Sequence, residues 1–225
     1  MLTIRLDSFS LEHREAVALT VNCYFEAQKV LGPMRLAPPR TELKTERLEL
    51  VNWSEEYFEE FREIFENPEV YPCQLIDPMG DWHTRARFEE TTAAAESPGY
   101  FAWAIHDPIA QELMGELTFH VTDWLYRSGT VGFSLSPKFW GHGYMTEALN
   151  EATRFLHRDC GFLRIDAGTF ADNSRAIRSL EKSGFLKTGK TPLFCLRNGK
   201  WKTGLLFASV HPEKADSKLS GRDLP

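Results

Sequence analysis

Apolar positions along this chain repeat with two periods, and the switching between them lays out the elements. Val17, Val21, Tyr24, Phe25 and Leu31 recur at helical spacing, and Gly32-Pro33 stops the pattern. Pro33, Pro38 and Pro39 then mark a linker, so residues 1–40 read as a helical extension. Leu48 and Leu50 alternate with charges, which predicts a strand over residues 45–50 with one buried face. Ser54 stands where it caps a helix carrying Phe58, Phe61, Ile64 and Phe65 on one side, ended by Asn67-Pro68. A proline-marked loop runs to Gly80. Asp81 or Thr84 caps a second helix through Phe88, ending near Ser97-Pro98-Gly99.

Three strand patterns follow over residues 100–106, 113–120 and 130–136, with short links that imply an antiparallel meander. Met145, Ala148, Leu149, Ala152, Phe155 and Leu156 then form one helical stripe that ends by Gly161. Residues 163–170 read as a strand with Ile165 and Ala167 on one face. Asp172-Asn173-Ser174 supplies N-caps for a short helix through Ile177 and Leu180, and Gly184 suits its C-terminus. Asn198-Gly199, between residues 193–196 and 201–210, is a hairpin signal. The tail from residue 213 is charged and poor in aromatics, and reads as disordered. The order gives an α+β domain over residues 41–212.

Composition narrows the classes. The 225 residues suffice for one domain with a full core plus an extension. A net charge of −6 does not suggest a nucleic-acid surface, and serves solubility before it serves a cationic substrate. No apolar run reaches membrane-spanning length, and the start lacks a secretory pattern, so no membrane and a cytoplasmic location are expected. Cys23, Cys73, Cys160 and Cys195 are scattered without a Cys-x-x-Cys pair, which points to free thiols in a reducing compartment and no metal.

The chemistry concentrates in residues 136–149. A strand stopped by Pro137 meets a helix across Gly141 and Gly143. Such a turn aims free N–H groups, with the helix dipole behind them, at one point that suits an anion, phosphate above all. A nucleotide P-loop needs Lys-Ser or Lys-Thr after its last glycine, and Tyr144-Met145 stands there instead. The dinucleotide fingerprint needs a third glycine at position 146, which is threonine. His157-Arg158-Asp159 imitates a kinase catalytic loop, but Arg164 stands where that loop needs asparagine.

The spacing Lys138, Gly141, Gly143 resembles the Gln/Arg-x-x-Gly-x-Gly/Ala motif of the GNAT superfamily of acetyl-coenzyme A-dependent N-acetyltransferases. From about residue 45 to 210 the chain resembles the branch that includes the ribosomal-protein-alanine N-acetyltransferases. Four segments carry the likeness: Thr45-Glu46-Arg47-Leu48; residues 115–120 with 130–135 and Pro137; the Trp140-to-Ala148 loop and helix; and Asp172-Asn173 followed by residues 180–185.

The resemblance implies a mixed, mostly antiparallel sheet that splays between its fourth and fifth strands after Leu135. The pantetheine arm of acetyl-CoA would lie in that gap like an added strand, bonded by backbone groups of Phe133, Ser134 and Leu135. Its diphosphate would sit on the loop and helix start, from Gly141, His142 and Gly143 to Tyr144, Met145 and Thr146. Asn173 matches an asparagine that contacts the arm near the thioester, beside its plain role as a cap. An alkylamine with a pKa of about 10 must lose a proton before it attacks. Where the branch commonly has a glutamate this chain has Thr130, and where other branches place a tyrosine acid it has Leu180. His120, oriented by Asp123, is the substitute base; proton loss to bulk water is the equal alternative.

The expected activity is acetyl transfer to a primary amine, a protein N-terminus or a small molecule, by direct attack in a ternary complex. The rivals are an acyl-CoA-binding module without turnover and an interaction protein that docks through residues 1–40. Either a monomer or a homodimer fits.

Overall fold

The computed structural model describes residues 41–70, 81–94, 99–197 and 199–213; the predicted extension and charged tail lie outside the described residues. Eight strands form one sheet in the order β1-β2-β3-β4-β5-β6-β8-β7. They are β1 Leu43–Lys44, β2 Glu49–Asn52, β3 Tyr100–Asp107, β4 Glu112–Asp123, β5 Ser128–Leu135, β6 Arg164–Phe170, β7 Leu186–Arg197 and β8 Lys200–Val210. The described α-helices are α1 Phe58–Phe65, α2 Asp81–Ala94, α3 Tyr144–Arg154 and α4 Ser174–Lys182. Every pairing is antiparallel except β5 with β6. The α+β expectation and the meander both hold. No described helix is long and apolar enough to cross a membrane.

Alternation on β3 shows how two cores share one sheet. Phe101, Trp103 and Ile105 face the large core, where the Phe155 ring, just past α3, packs edge-on against Phe101 and Trp103. Ala102 and Ala104 face the other way and leave room for Phe61, Phe65 and Phe88 from α1 and α2. Small strand residues opposite bulky helix residues let that second layer pack closely. Arg87 on α2 ties it to the sheet through Glu116 on β4, with 2.7 Å between Nη2 and Oε1.

Several boundaries differ from the sequence reading, each for a local reason. The predicted strand over residues 45–50 is broken by a tight turn. The Thr45 N–H donates to the Leu48 carbonyl and the Leu48 N–H donates to Thr45 Oγ1, both at 2.9 Å. Ser54 makes no side-chain cap; a 3₁₀ turn at Glu55–Tyr57 precedes α1. Thr84 lies buried inside α2 rather than at its start. Beyond α3 the chain continues as a π-helical turn, Phe155–Asp159. Gly184 takes φ +78° behind α4, as its C-terminal position requires. Gly199 joins β7 to β8 at φ +70°, while Asn198 lies outside the described residues. Cys160 is buried and Cys195 half-buried; Cys23 and Cys73 fall outside the described residues.

The parting of β5 and β6 also needs correction. Their parallel register runs from Ser128↔Arg164 to Val131↔Ala167 and stops there. The gap therefore opens at Gly132, ahead of the predicted point after Leu135. Gly168 to Phe170 turn away with β8 instead, pairing with Leu206 to Gly204.

Candidate active site

The gap between β5 and β6 continues into a cleft of about 410 Å³ that ends at the start of α3. Its floor is the last part of β5. The Ser136 N–H donates to the Met114 carbonyl at 2.8 Å, which fixes the ladder with β4. Antiparallel alternation then turns the backbone groups of Ser134 toward Glu116 on β4. Those of Phe133 and Leu135 turn the other way, into the gap. Of the three residues expected to offer backbone groups there, Ser134 thus offers its side chain instead. The Leu135 carbonyl accepts the Trp140 indole N–H at 2.7 Å, so Leu135 keeps its N–H for a ligand.

The loop after β5 is shaped by conformation. Gly141 and Gly143 take φ of +84° and +81°. A Cβ on Gly141 would meet nothing within 4 Å, and one on Gly143 only Arg47 Nη2 at 3.9 Å. Glycine is demanded there by the left-handed backbone rather than by crowding. Gly143 is the N-cap of α3 and has no side chain to offer. The first-turn N–H groups of Tyr144, Met145 and Thr146 therefore point to the cleft end uncapped, which is the arrangement that holds an anion.

The loop is braced from outside. Glu147 Oε1 accepts from Thr45 Oγ1 at 2.5 Å and from the Arg47 N–H at 3.0 Å. Arg47 Nη2 lies 2.6 Å from Glu147 Oε2, and Arg47 Nη1 donates to the His142 carbonyl at 3.2 Å. The same guanidinium stacks 4.5 Å above the Tyr144 ring. These partners hold the Glu147 carboxyl below the usual range against the upward push of burial.

Phe133, Ser134, Leu135, Gly141, Gly143, Tyr144, Met145, Thr146 and Asn173 all line the cleft. Asn173 caps α4, its Oδ1 accepting from the Ala176 N–H at 3.2 Å, and its amide nitrogen remains as a donor. Other residues weighed in the sequence do not meet there. His142 is exposed and does not line the cleft; its carbonyl serves Arg47. His120 is exposed on β4, paired across the ladder with Thr130, and does not line the cleft. Asp123 does not orient it, because Asp123 Oδ1 accepts from the Tyr126 N–H at 2.8 Å. Lys138 is held outside by Glu112, at 2.6 Å. Leu180 is part of the large core.

Sequence reasoning missed the basic wall. Arg175, Arg178 and Lys182 on α4 line the cleft, and Arg175 stacks 3.7 Å above the Trp140 ring. Their spacing of three and then four residues places all three on one helical face, a signal readable from the sequence. Among the described residues no three His, Cys, Asp or Glu side chains gather to hold a metal ion.

Residues 47–186 match the acetyltransferase (GNAT) domain, so the chain belongs to the GNAT acetyltransferases. It is 27% identical over 174 residues to an uncharacterized N-acetyltransferase, YoaA, of Bacillus subtilis (strain 168), covering 76% of this chain and 98% of that protein. It is 31% identical over 114 residues to the [ribosomal protein uS5]-alanine N-acetyltransferase of Escherichia coli (strain K12), covering 50% of this chain and 59% of that enzyme. The spermidine N-acetyltransferase of Vibrio cholerae, solved with CoA and spermine, shares the fold with a TM-score of 0.66 at 14% identity, over 74% of this chain and 97% of that one.

Proposed function

We propose that the unit of residues 41–212 moves an acetyl group from acetyl-CoA to a primary amine by direct attack in a ternary complex. The observation that carries this reading is the junction of three uncapped helix N–H groups, a basic wall and an unpaired strand edge in one cleft. Each suits a different part of one donor. The N–H groups of Tyr144, Met145 and Thr146 suit a diphosphate. The edge of Phe133 and Leu135 suits the amides of a pantetheine arm. Arg175, Arg178 and Lys182 suit the remaining phosphate charge. The thioester supplies an activated acyl carbon, and the chain positions it. Asn173 and the Leu135 N–H are the donors available beside the acyl end.

The acceptor class is a protein N-terminus or a small polyamine, as the names of the two characterised relatives suggest. The test is calorimetry with acetyl-CoA, then thiol release over a panel holding an alanine-ended peptide and spermidine. Micromolar binding with thiol release from at least one acceptor supports the reading. No measurable affinity for acetyl-CoA or CoA overturns it. One observation favours a second reading, a binding module without turnover: neither Thr130 nor His120 lines the cleft. Tight acetyl-CoA binding with no release from any amine selects that module.

A further inference from the structure

No carboxylate or imidazole lines the cleft among the described residues, yet an amine substrate must lose a proton. Directly across the β4–β5 ladder from Ser134, which does line it, stands Glu116. Paired residues on neighbouring strands share a sheet face. Glu116 also pairs with Ala104 on β3, which faces the small core under α1 and α2. Two further lining residues reach the same place. Val70 belongs to that small core, and Trp140 packs against it. Glu116 thus lies one cross-strand pair behind the wall where the cleft ends.

Its carboxylate is only half explained by structure. The residue is 3% exposed. Oε1 accepts from Arg87 Nη2 at 2.7 Å, and Arg87 stacks 4.1 Å above the Phe65 ring. That pair ties α2 to the sheet and accounts for Oε1. Oε2 is buried and has no hydrogen-bond partner among the described residues. A buried acceptor left open in this way calls for a ligand or a chemical role.

We propose that Glu116 is the proton acceptor for the amine substrate, its carboxylate turning past Ser134 so that Oε2 meets the ammonium. The proposal rests on the N-acetyltransferase reading. The ammonium gives its proton to Oε2, and the freed electron pair forms the C–N bond to the acyl carbon as the C–S bond breaks. The thiolate leaves with its electron pair and takes up the second proton that the new amide nitrogen sheds, and Glu116 returns its proton to solvent. Burial pushes the Glu116 carboxyl up and Arg87 opposes that push, so it is a better base than an exposed carboxylate. Tyr100 on β3, pushed up to about 12 by burial and then by Glu116, is the other titratable group coupled to it. The direct cross-strand neighbours, Ala104 and Ser134, carry no charge.

Glu116→Gln keeps the volume and an acceptor oxygen for Arg87. We expect its acetyl-CoA affinity to stay within about twofold of wild type, with kcat down by about 10²–10⁴-fold. Spermidine titrated into the CoA complex by calorimetry is expected to bind at least about tenfold more weakly to the variant, since a desolvated charge partner is lost. Wild-type kcat/KM is expected to level off well below the amine pKa of about 10, while the variant climbs to it. Wild-type turnover and spermidine affinity in the variant overturn the proposal alone. A wild type that binds no acetyl-CoA overturns the underlying reading as well. Should the variant not fold, the wild-type profile decides: a rise that tracks the ionisation of the free amine up to about pH 10 overturns the proposal.

Discussion

The two ends of the cleft are made of different materials. Where β5 gives way to α3, the working groups are main-chain N–H donors set by Gly141 and Gly143 at positive φ. Where the cleft meets Val70 and Ser134, the polar groups behind its wall are side chains from separate elements, Arg87 and Glu116, meeting across 29 residues. The first end is written in a short run of sequence. The second exists only once α2 has packed on the sheet. An end made of backbone tolerates side-chain change and fails on a change of dihedral; an end made of side chains does the reverse.

The largest expected effect breaks the side-chain end. Arg87→Met leaves a buried carboxylate unpaired and lowers stability by about 3 kcal/mol at neutral pH. The sign with pH follows from burial. Burial already raises the folded Glu116 carboxyl against the opposing pull of Arg87, and losing Arg87 raises it further. The deficit is full at neutral pH and shrinks as pH falls through that raised value. Chemical denaturation from pH 7 to pH 4 measures it. Acetyl-CoA affinity of the folded fraction is expected to be unchanged; a parallel loss would show that the ends act as one unit.

Next comes the backbone end. Gly143→Val has space, with only Arg47 Nη2 at 3.9 Å from its Cβ, but it forces a side chain to φ +81°. That strain is about 1–2 kcal/mol or more, so acetyl-CoA binding weakens at least about tenfold by calorimetry. Fold stability follows to a similar degree, since no ligand is needed for the strain to act. Removing the brace is milder. Arg47→Ala frees Glu147 and the His142 carbonyl and costs about 1 kcal/mol of acetyl-CoA affinity, roughly fivefold, with kcat unchanged in a thiol-release assay. A fall in kcat alone would place Arg47 at the wrong end.

The smallest effect lies away from both ends. His157 in the π-helical turn is buried, with Nδ1 2.7 Å from the Phe162 carbonyl and Nε2 3.0 Å from Ser209 Oγ. Burial holds its imidazole below the usual value, with the Phe162 carbonyl opposing and His211 assisting. The stability it carries is present above the unfolded value of about 6.5 and is lost as pH falls below it. Between pH 7 and pH 6 the loss is under about 1 kcal/mol, and His157→Asn flattens that slope in thermal melts.

What the sequence disclosed follows the same division. The glycine pair, the strand stop at Pro137 and the stripe on α3 are local signals, and the loop they predict is the loop observed. Asn173 as a cap was legible for the same reason. The line where β5 and β6 part was not, because it depends on which partner Gly168 to Phe170 choose, and they choose β8. His120 takes the same sheet face as Glu116 but stands four residues further along β4, exposed and away from the residues that line the cleft, a distance set by the register with β3 and β5. Glu116 passed unnoticed as one charge in an apolar strand; only its burial and its open oxygen give it meaning.

Trp140 joins these regions. Its indole N–H is tied to β5, its ring is roofed by Arg175, and its body touches both cores. A phosphate that draws the guanidinium away alters the electric field on that ring. The fold therefore carries its own fluorophore at the ligand gap, and emission that shifts with CoA in the wild type and not in Trp140→Phe would report occupancy without a label.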